Sequence, residues 1–479
     1  MKHIQVIIFF LLAVVIWGCK EEDFKAYKEI DEFSIISPQD TSISLVQLED
    51  LVIRPTLKGL NPDKQYTYQW RLYMGDAYDV IATTKDLNIP IELVPEDYTI
   101  QLIVTESSSG IKAISQLFNL KVTGAFPEGW LVGNNVNGKG QLSFIRISDQ
   151  EIFYNPLEEI NGKVYPEKLV SSLSGVMTSF FYGSFKQLFY FTPNGLRVFD
   201  PETMLEISAL NDYFYKPMSF NEKPAYGVNG LNADQYLVSD GNLYAANGTN
   251  FGLNDAFGTF SDRFEGDYVM FPFVFPNSSQ ITYFYDNKNK RFMSGSFQGR
   301  ELSVPSSGTT NGQYNLNNIK RTMLGADATL NNNYLALMGD GNAYYIYAFR
   351  LRTAAAIATG YYTQLSSPIE VNNLTGFAAA SDIERAYYSS NQKIFKVSAA
   401  NGTVTEIYSL SEGGQIVDLK MLKTGTDENR QLTIAVNKGG EGEVHCIYID
   451  DFGDLDKNRV PKVYSGFGTI TNLSYRNPS

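Results

Sequence analysis

The chain has 479 residues, with 39 Lys and Arg against 52 Asp and Glu and a formal net charge of −13. That balance argues against nucleic acid as a partner, because neutralising a phosphate backbone needs clustered basic side chains. Only two cysteines occur, Cys19 and Cys446, while Tyr and Phe number 31 each and helical runs of Glu, Lys and Ala are nearly absent, which indicates an all-β protein held by its core.

The first 18 residues read as a targeting segment. Lys2 and His3 precede an apolar run from Val6 to Trp17, and the run ends at Gly18-Cys19. It is too short to span a bilayer and has the charged start and short apolar centre of a signal peptide. The Gly-Cys ending resembles a bacterial lipoprotein signal, which implies acylation of Cys19 and a membrane lipid anchor; an ordinary secretory cut is the alternative. If Cys19 is acylated, no disulfide can form. Lys20, Glu21, Glu22 and Asp23 follow directly. This block resembles the surface-export signal of Bacteroidota lipoproteins and implies an outer-membrane protein facing the exterior. Residues 19–28 then form a tether.

Residues 29–123 read as one β-sandwich. Tyr66, Tyr68, Trp70 and Leu72 alternate with Thr67, Gln69 and Arg71, the period-two pattern of a half-buried strand. Tyr98, Ile100, Leu102 and Val104 repeat it. Ser107 to Gly110 marks a turn, and Ile111–Val122 reads as the return strand. With no cysteine pair, an antibody-type domain is excluded as a model.

From residue 124 to 479 the chain repeats a two-strand unit: an apolar strand, a Gly/Asn/Asp turn and an aromatic-rich strand. The units are Gly129–Ile147, Gln187–Phe199, Gln235–Ala246, Gln280–Ser294, Asn333–Phe349, Arg385–Val397 and Gln431–Ile449. Their spacing of about 50 residues is that of propeller blades, so seven blades are expected. Apolar stretches ahead of the units, among them Gly175–Tyr182, Lys216–Phe220, Tyr268–Phe275, Leu374–Ala380 and Ile416–Leu422, read as inner strands. The first unit has no such stretch, and Gly468–Tyr475 is an inner strand with no hairpin after it. The two should complete each other, which also removes two exposed sheet edges.

The Trp70 strand followed by Tyr98–Thr105 resembles a PKD-like domain. Together with the Cys19 signal, Gly129-Trp130-Leu131-Val132 and Asn137–Ile145, the chain resembles the PKD-like family of Bacteroidota lipoproteins. The resemblance implies a partner, a SusC/SusD-type outer-membrane importer of oligosaccharides or peptides. A non-catalytic ligand-capture or docking subunit is the expected role, with a carboxylate-based surface hydrolase as the alternative.

Candidate chemistry in the folded body is sparse. His445 and Cys446 are adjacent on a predicted strand, so they point to opposite faces and cannot act as a nucleophile–base pair. Asp454, Asp456 and Asn458 have the alternating oxygens of a calcium-loop start, but Arg459 and Val460 follow where a glycine turn should be. A solvated connection is therefore expected there and no cofactor, with bound calcium the alternative. No serine-nucleophile elbow, phosphate loop or dinucleotide fingerprint occurs. Tyr213, Tyr215, Phe251, Phe257, Tyr361 and Tyr362 lie in or beside predicted blade connections, where aromatic rings stack on sugars or clasp peptide side chains. Packing between blades is the competing reading for all six.

Overall fold

The structure, a computed structural model, describes residues 32–36, 41–75, 77–179, 183–228, 234–246, 260–276, 281–296, 301–305, 314–330, 333–351, 359–381, 384–411 and 413–477. The signal segment, Cys19, Lys20–Asp23, the tether, Phe251 and Phe257 lie outside the described residues. The chain divides into two compact units, residues 1–123 and 124–479. Both are built mainly of strands, and the second also holds a short helix, Pro156–Asn161.

The first unit contains β1 (Ser34–Ile36), β2 (Ser42–Val46), β3 (Asp50–Ile53), β4 (Thr56–Lys58), β5 (Tyr66–Met74), β6 (Ala77–Ala82), β7 (Leu87–Pro90), β8 (Asp97–Glu106), β9 (Lys112–Ile114) and β10 (Phe118–Thr123). Its main sheet runs β2-β10-β8-β5-β6, with β9 also on β8, and β1–β4 and β3–β7 form two small sheets. The alternation on β5 and β8 does what period two requires. Trp70, Leu72, Ile100, Leu102 and Val104 turn to one side and share a core with Leu51, Ile53 and Leu87. The buried Trp70 indole keeps a partner by donating to the Thr84 carbonyl at 3.1 Å. The return strand expected over Ile111–Val122 is two pieces, β9 and β10, both paired to β8. Ser115 causes the break: its hydroxyl accepts from Leu102 N at 2.9 Å, taking a place in the ladder with its side chain.

The second unit opens with β11 (Gly129–Val136), β12 (Lys139–Arg146) and β13 (Ile152–Phe153). The second sheet holds β14 (Ser171–Ser179), β15 (Gly183–Thr192), β16 (Gly195–Phe199) and β17 (Glu206–Ser208). The third holds β18 (Ala225–Val228), β19 (Gln235–Ser239) and β20 (Asn242–Ala246), and the fourth β21 (Ile281–Asp286) and β22 (Arg291–Ser296). β23 (Thr322–Ala328), β24 (Asn333–Gly339), β25 (Tyr344–Arg350) and β26 (Thr359–Gln364) make the fifth. β27 (Leu374–Ala379), β28 (Arg385–Ser390), β29 (Lys393–Ser398) and β30 (Val404–Ser409) make the sixth. β31 (Gln415–Met421), β32 (Gln431–Lys438), β33 (Glu441–Tyr448) and β34 (Lys462–Phe467) make the seventh. The last strand, β35 (Thr469–Arg476), returns to the first sheet and pairs antiparallel with β11.

Each of the seven hairpins read from the sequence sits in its own antiparallel sheet. The strands ahead of them were harder to place. The third sheet begins at Ala225–Val228, not at Lys216–Phe220, where Pro217 has no N–H to give a ladder. Tyr268–Phe275 makes only isolated bridges, Met270 to Asp286 and Phe275 to Tyr283, because Pro272 interrupts it. Thr322–Ala328 is a first strand that the sequence reading did not single out. Three first strands and the last strand each carry one extra residue: Leu324 in β23, Thr375 in β27, Val417 in β31 and Thr471 in β35. Such a bulge bends the strand and tightens its twist.

The cores of this unit are wedges between successive sheets. Phe275, Tyr285 and Phe292 of the fourth pack on Tyr334, Tyr347 and Phe349 of the fifth. Trp130, Val132 and Ile145 of the first pack on Ala435 and Val444 of the seventh. Asparagine side chains bind the sheets at a second level. The Asn472 amide accepts from Ser172 N at 2.9 Å and donates to Ser172 O at 2.6 Å. Asn135 does the same to Leu169, Asn437 to Ile470, and Asn287 to Met323. A side-chain amide thus stands in for a strand's peptide group and pairs backbone that two adjacent sheets would otherwise leave buried.

Two predictions follow from these contacts. Deleting residues 468–479 removes β35 with buried Ile470 and Leu473, roughly 3–6 kcal/mol of apolar burial before any ladder bond is counted; a melting temperature unchanged from the full chain would refute it. Asn472→Ala takes both partners from a buried Ser172, at a cost of about 2–4 kcal/mol in denaturant unfolding.

Candidate functional site

In the sixth sheet the β28–β29 turn, the start of β27 and the end of β30 lie at the same strand ends. At this end the sixth and seventh sheets enclose an open groove of ≈ 480 Å³, lined by Glu370, Asn391, Gln392, Lys393, Gly414 and Gln415. Asn391 holds the tip with φ 48°, a left-handed conformation that Asn tolerates. Lys393 is the central charge. Its ammonium lies 2.9 Å from Glu406 and 3.7 Å from Glu370, and the Glu406 hydrogen bond raises its pKa. Glu370 also accepts from the Ser390 hydroxyl at 3.2 Å. The groove therefore offers amides and a neutralised lysine, a surface suited to hydrogen-bonding a polar ligand.

Beside the fifth sheet's turn lies an arginine among tyrosines. The Arg321 guanidinium stands 3.7 Å from the Tyr345 ring centre and 4.8 Å from that of Tyr362. It donates to the Tyr347 hydroxyl, and Asp340 lies 3.7 Å from its Nε. Tyr347 and Tyr362 stack with centroids 5.0 Å apart. The alternation of Tyr345 and Tyr347 places two of these rings on one face, but nothing local to Arg321 announces their meeting.

The described aromatics named from the sequence do not converge. Tyr213 is buried with Phe214, Phe220 and Phe260, accepts from Gln187 Nε2 at 3.2 Å, and burial pushes its phenol up to about 12. Tyr215, two residues on, is 72% exposed and lies 6.0 Å from the Lys216 ammonium. Tyr361 and Tyr362 lie in β26, beside the connection to the next sheet, as neighbours facing opposite ways. Tyr361 donates to Glu384 of the next sheet, and Tyr362 belongs to the Arg321 cluster. Tyr215 is thus the one described member of the set that is open to solvent.

The acidic segment after β33 is a turn organised by its own backbone. Asp450 accepts from Phe452 N and Asp454 N, each at 2.9 Å, and Asp456 accepts from Asn458 N at 2.9 Å. Asp454 turns away to Lys396, 2.6 Å distant. Among the described residues no group of three or more His, Cys, Asp or Glu is placed to hold a metal ion. On β33, Cys446 is buried with Thr433 Oγ1 at 3.9 Å, and His445 faces the other side with Glu443 at 2.9 Å. Burial pushes the Cys446 thiol up to about 11. A thiol-specific disulfide reagent at about pH 8 should therefore leave Cys446 of the folded protein unlabelled and react with it on unfolding, since the thiolate is the reactive form; rapid labelling of Cys446 in a folded Cys19→Ser variant would contradict this.

Comparison with known proteins adds the following. Residues 24–168 match the model of the PKD-like family, a span that covers the first unit's strands and continues through β11, β12 and β13. None of the curated proteins compared with the chain matches it. Among solved structures, it resembles a Bacteroides uniformis protein described as a candidate 6-phosphogluconolactonase, at 12% identity and TM-score 0.45, over 73% of this chain and 99% of that one. It also resembles a chain of the mitotic checkpoint complex, at 10% identity and TM-score 0.36, over 61% of this chain and 78% of that one. What can be stated is an all-β chain with a PKD-like N-terminal domain.

Proposed function

We propose that residues 124–479 form a seven-bladed β-propeller closed by β35, carried on the PKD-like domain and tethered by an acylated Cys19 to the outer face of the outer membrane. There it serves as a non-catalytic accessory subunit that captures ligand for, or docks onto, a SusC/SusD-type importer of oligosaccharides or peptides. The observation that carries the location is Gly18-Cys19 followed at once by Lys20-Glu21-Glu22-Asp23, ahead of a PKD-like domain. The propeller reading is supported by the β11–β35 pairing and by the packing of the seventh sheet on the first. Contacts between sheets far apart in chain order support it further. Lys223, before the third sheet, reaches Val417 of the seventh, and Lys423 after β31 reaches Asp327 and Ala328 of the fifth. First strands arranged about a common axis make such contacts natural.

In this reading the groove at Lys393, the Arg321 cluster and Tyr215 share the interaction face. The polar groove and the ring faces suit a hydrophilic nutrient better than an apolar one. A tag on the C-terminal side of this protein should bring down an outer-membrane importer from detergent-solubilised membranes. Replacing Lys20–Asp23 by alanines should leave acylation intact and hide the protein from external protease. Purification without an importer, or equal protease access in both forms, would overturn the corresponding half of the reading.

A further inference from the structure

The first strands gather a second set of charges that the tip face does not use. Lys223 stands just before Pro224 and β18, exposed to solvent yet surrounded by protein on several sides. Its ammonium donates to the Val417 carbonyl at 3.1 Å. Val417 is the extra residue of the β31 bulge, which takes it out of register with β32. The next residue, Asp418, is almost fully buried and has both oxygens engaged: Oδ1 accepts from Leu419 N and Oδ2 from Leu473 N, each at 2.9 Å. Lys420, 44% exposed, holds its ammonium 3.5 Å from Asp418 Oδ1.

The charges here do not balance. Among the described residues, Asp418 is the one ion-pair partner of Lys420, and Lys223 has no ion-pair partner. Lys423 is already taken up by Asp327 at 2.7 Å. Two ammonium groups therefore share the field of one carboxylate whose lone pairs are committed to backbone N–H groups. Burial, opposed by Asp418 and aided by repulsion from Lys420, lowers the pKa of Lys223. For Asp418 burial pushes the pKa upward, but Lys420, Lys223 and the two backbone N–H groups outweigh it and hold the carboxyl below its ordinary range. This local excess of positive charge stands in a chain of net charge −13.

We propose that Lys223 and Lys420 form a receptor for one carboxylate group of a ligand, with Asp418 fixing the position of Lys420. An incoming carboxylate supplies the counter-charge that both ammonium groups lack and accepts from the Lys223 donors left over by Val417. Lysine suits the task because its ammonium is a mobile point charge with three donors and does not demand the planar approach of a guanidinium. The ligand class is an acidic one, either a uronate-bearing oligosaccharide or a peptide presenting a free carboxylate. This deepens the capture half of the proposed function and rests on the side-chain geometry alone, so it stands or falls separately from any importer.

The test is calorimetric titration of the chain lacking residues 1–18. Digalacturonate is compared with its methyl ester, and a blocked trialanine carrying a free C-terminal carboxylate with its C-terminal amide. At least one of the two acids is expected to bind and its neutral counterpart to bind at least about tenfold more weakly, the loss typical of a charged hydrogen bond. Which acid binds identifies the source of the carboxylate. Lys223→Gln and Lys420→Gln should each weaken that acid by about tenfold or more, and Lys223→Arg should retain most of the affinity. Thermal midpoints of the variants separate loss of binding from loss of fold. Failure of both acids to bind, or acid binding unchanged in two folded Gln variants, overturns the proposal.

Discussion

The second unit depends on one pairing made by its two ends. β35, the last strand, lies antiparallel to β11, the first, from Gly129 opposite Arg476 to Asn135 opposite Thr469. Without β35, β11 would present a bare edge, and the apolar faces of Trp130, Val132 and Ile145 would lose Ile470 and Leu473. Tyr475 adds an edge-to-face contact on Trp130, with centroids 4.8 Å apart, and its hydroxyl donates to Glu128 at 2.6 Å. Most of the sheet pairing between these strands is local hairpin, so this pairing of the two ends joins the first part of the unit to the last.

Hydrophobic wedges bring sheets together but do not set their register. Asparagine amides that grip the N–H and C=O of a facing residue do so, because a two-pronged hydrogen bond has one good geometry. Asn472 on Ser172 and Asn437 on Ile470 lie on either side of β35, so the last strand is fixed to both the second and the seventh sheet. Asp418 plays a related part by accepting from Leu473 N. Its charge then has to be matched in a crowded place, and the lysines that match it exceed it. A structural device and a candidate binding site thus share one carboxylate.

The tip face has the opposite character. Its turns are held by backbone that favours Asn and Gly, and the lysine that lines its groove is already paired with Glu406 and Glu370. Arg321 is likewise pre-arranged by Tyr345, Tyr347 and Tyr362. Side chains ordered before a ligand arrives lose less entropy when it binds, which is the advantage such a face brings to recognition.

Period-two alternation and turn residues, read along the chain, were enough to determine the all-β class, the seven hairpins, the incomplete first unit and the orphan last strand, because both signals are local. First strands were legible only where no proline intervened, and Ala225–Val228 and Thr322–Ala328 were missed because short, small-residue strands carry little pattern. The aromatics near Tyr213 and Tyr361 could be found but not assigned, since a ring that packs between sheets and a ring that meets solvent have the same residue type. Tertiary structure alone decided that Tyr213 is buried and Tyr215 exposed, that Arg321 meets three tyrosines, and that Lys223, Asp418 and Lys420 form one cluster. The physical reason is distance along the chain: these groups meet only after whole sheets have packed, and no local periodicity encodes which sheet faces which.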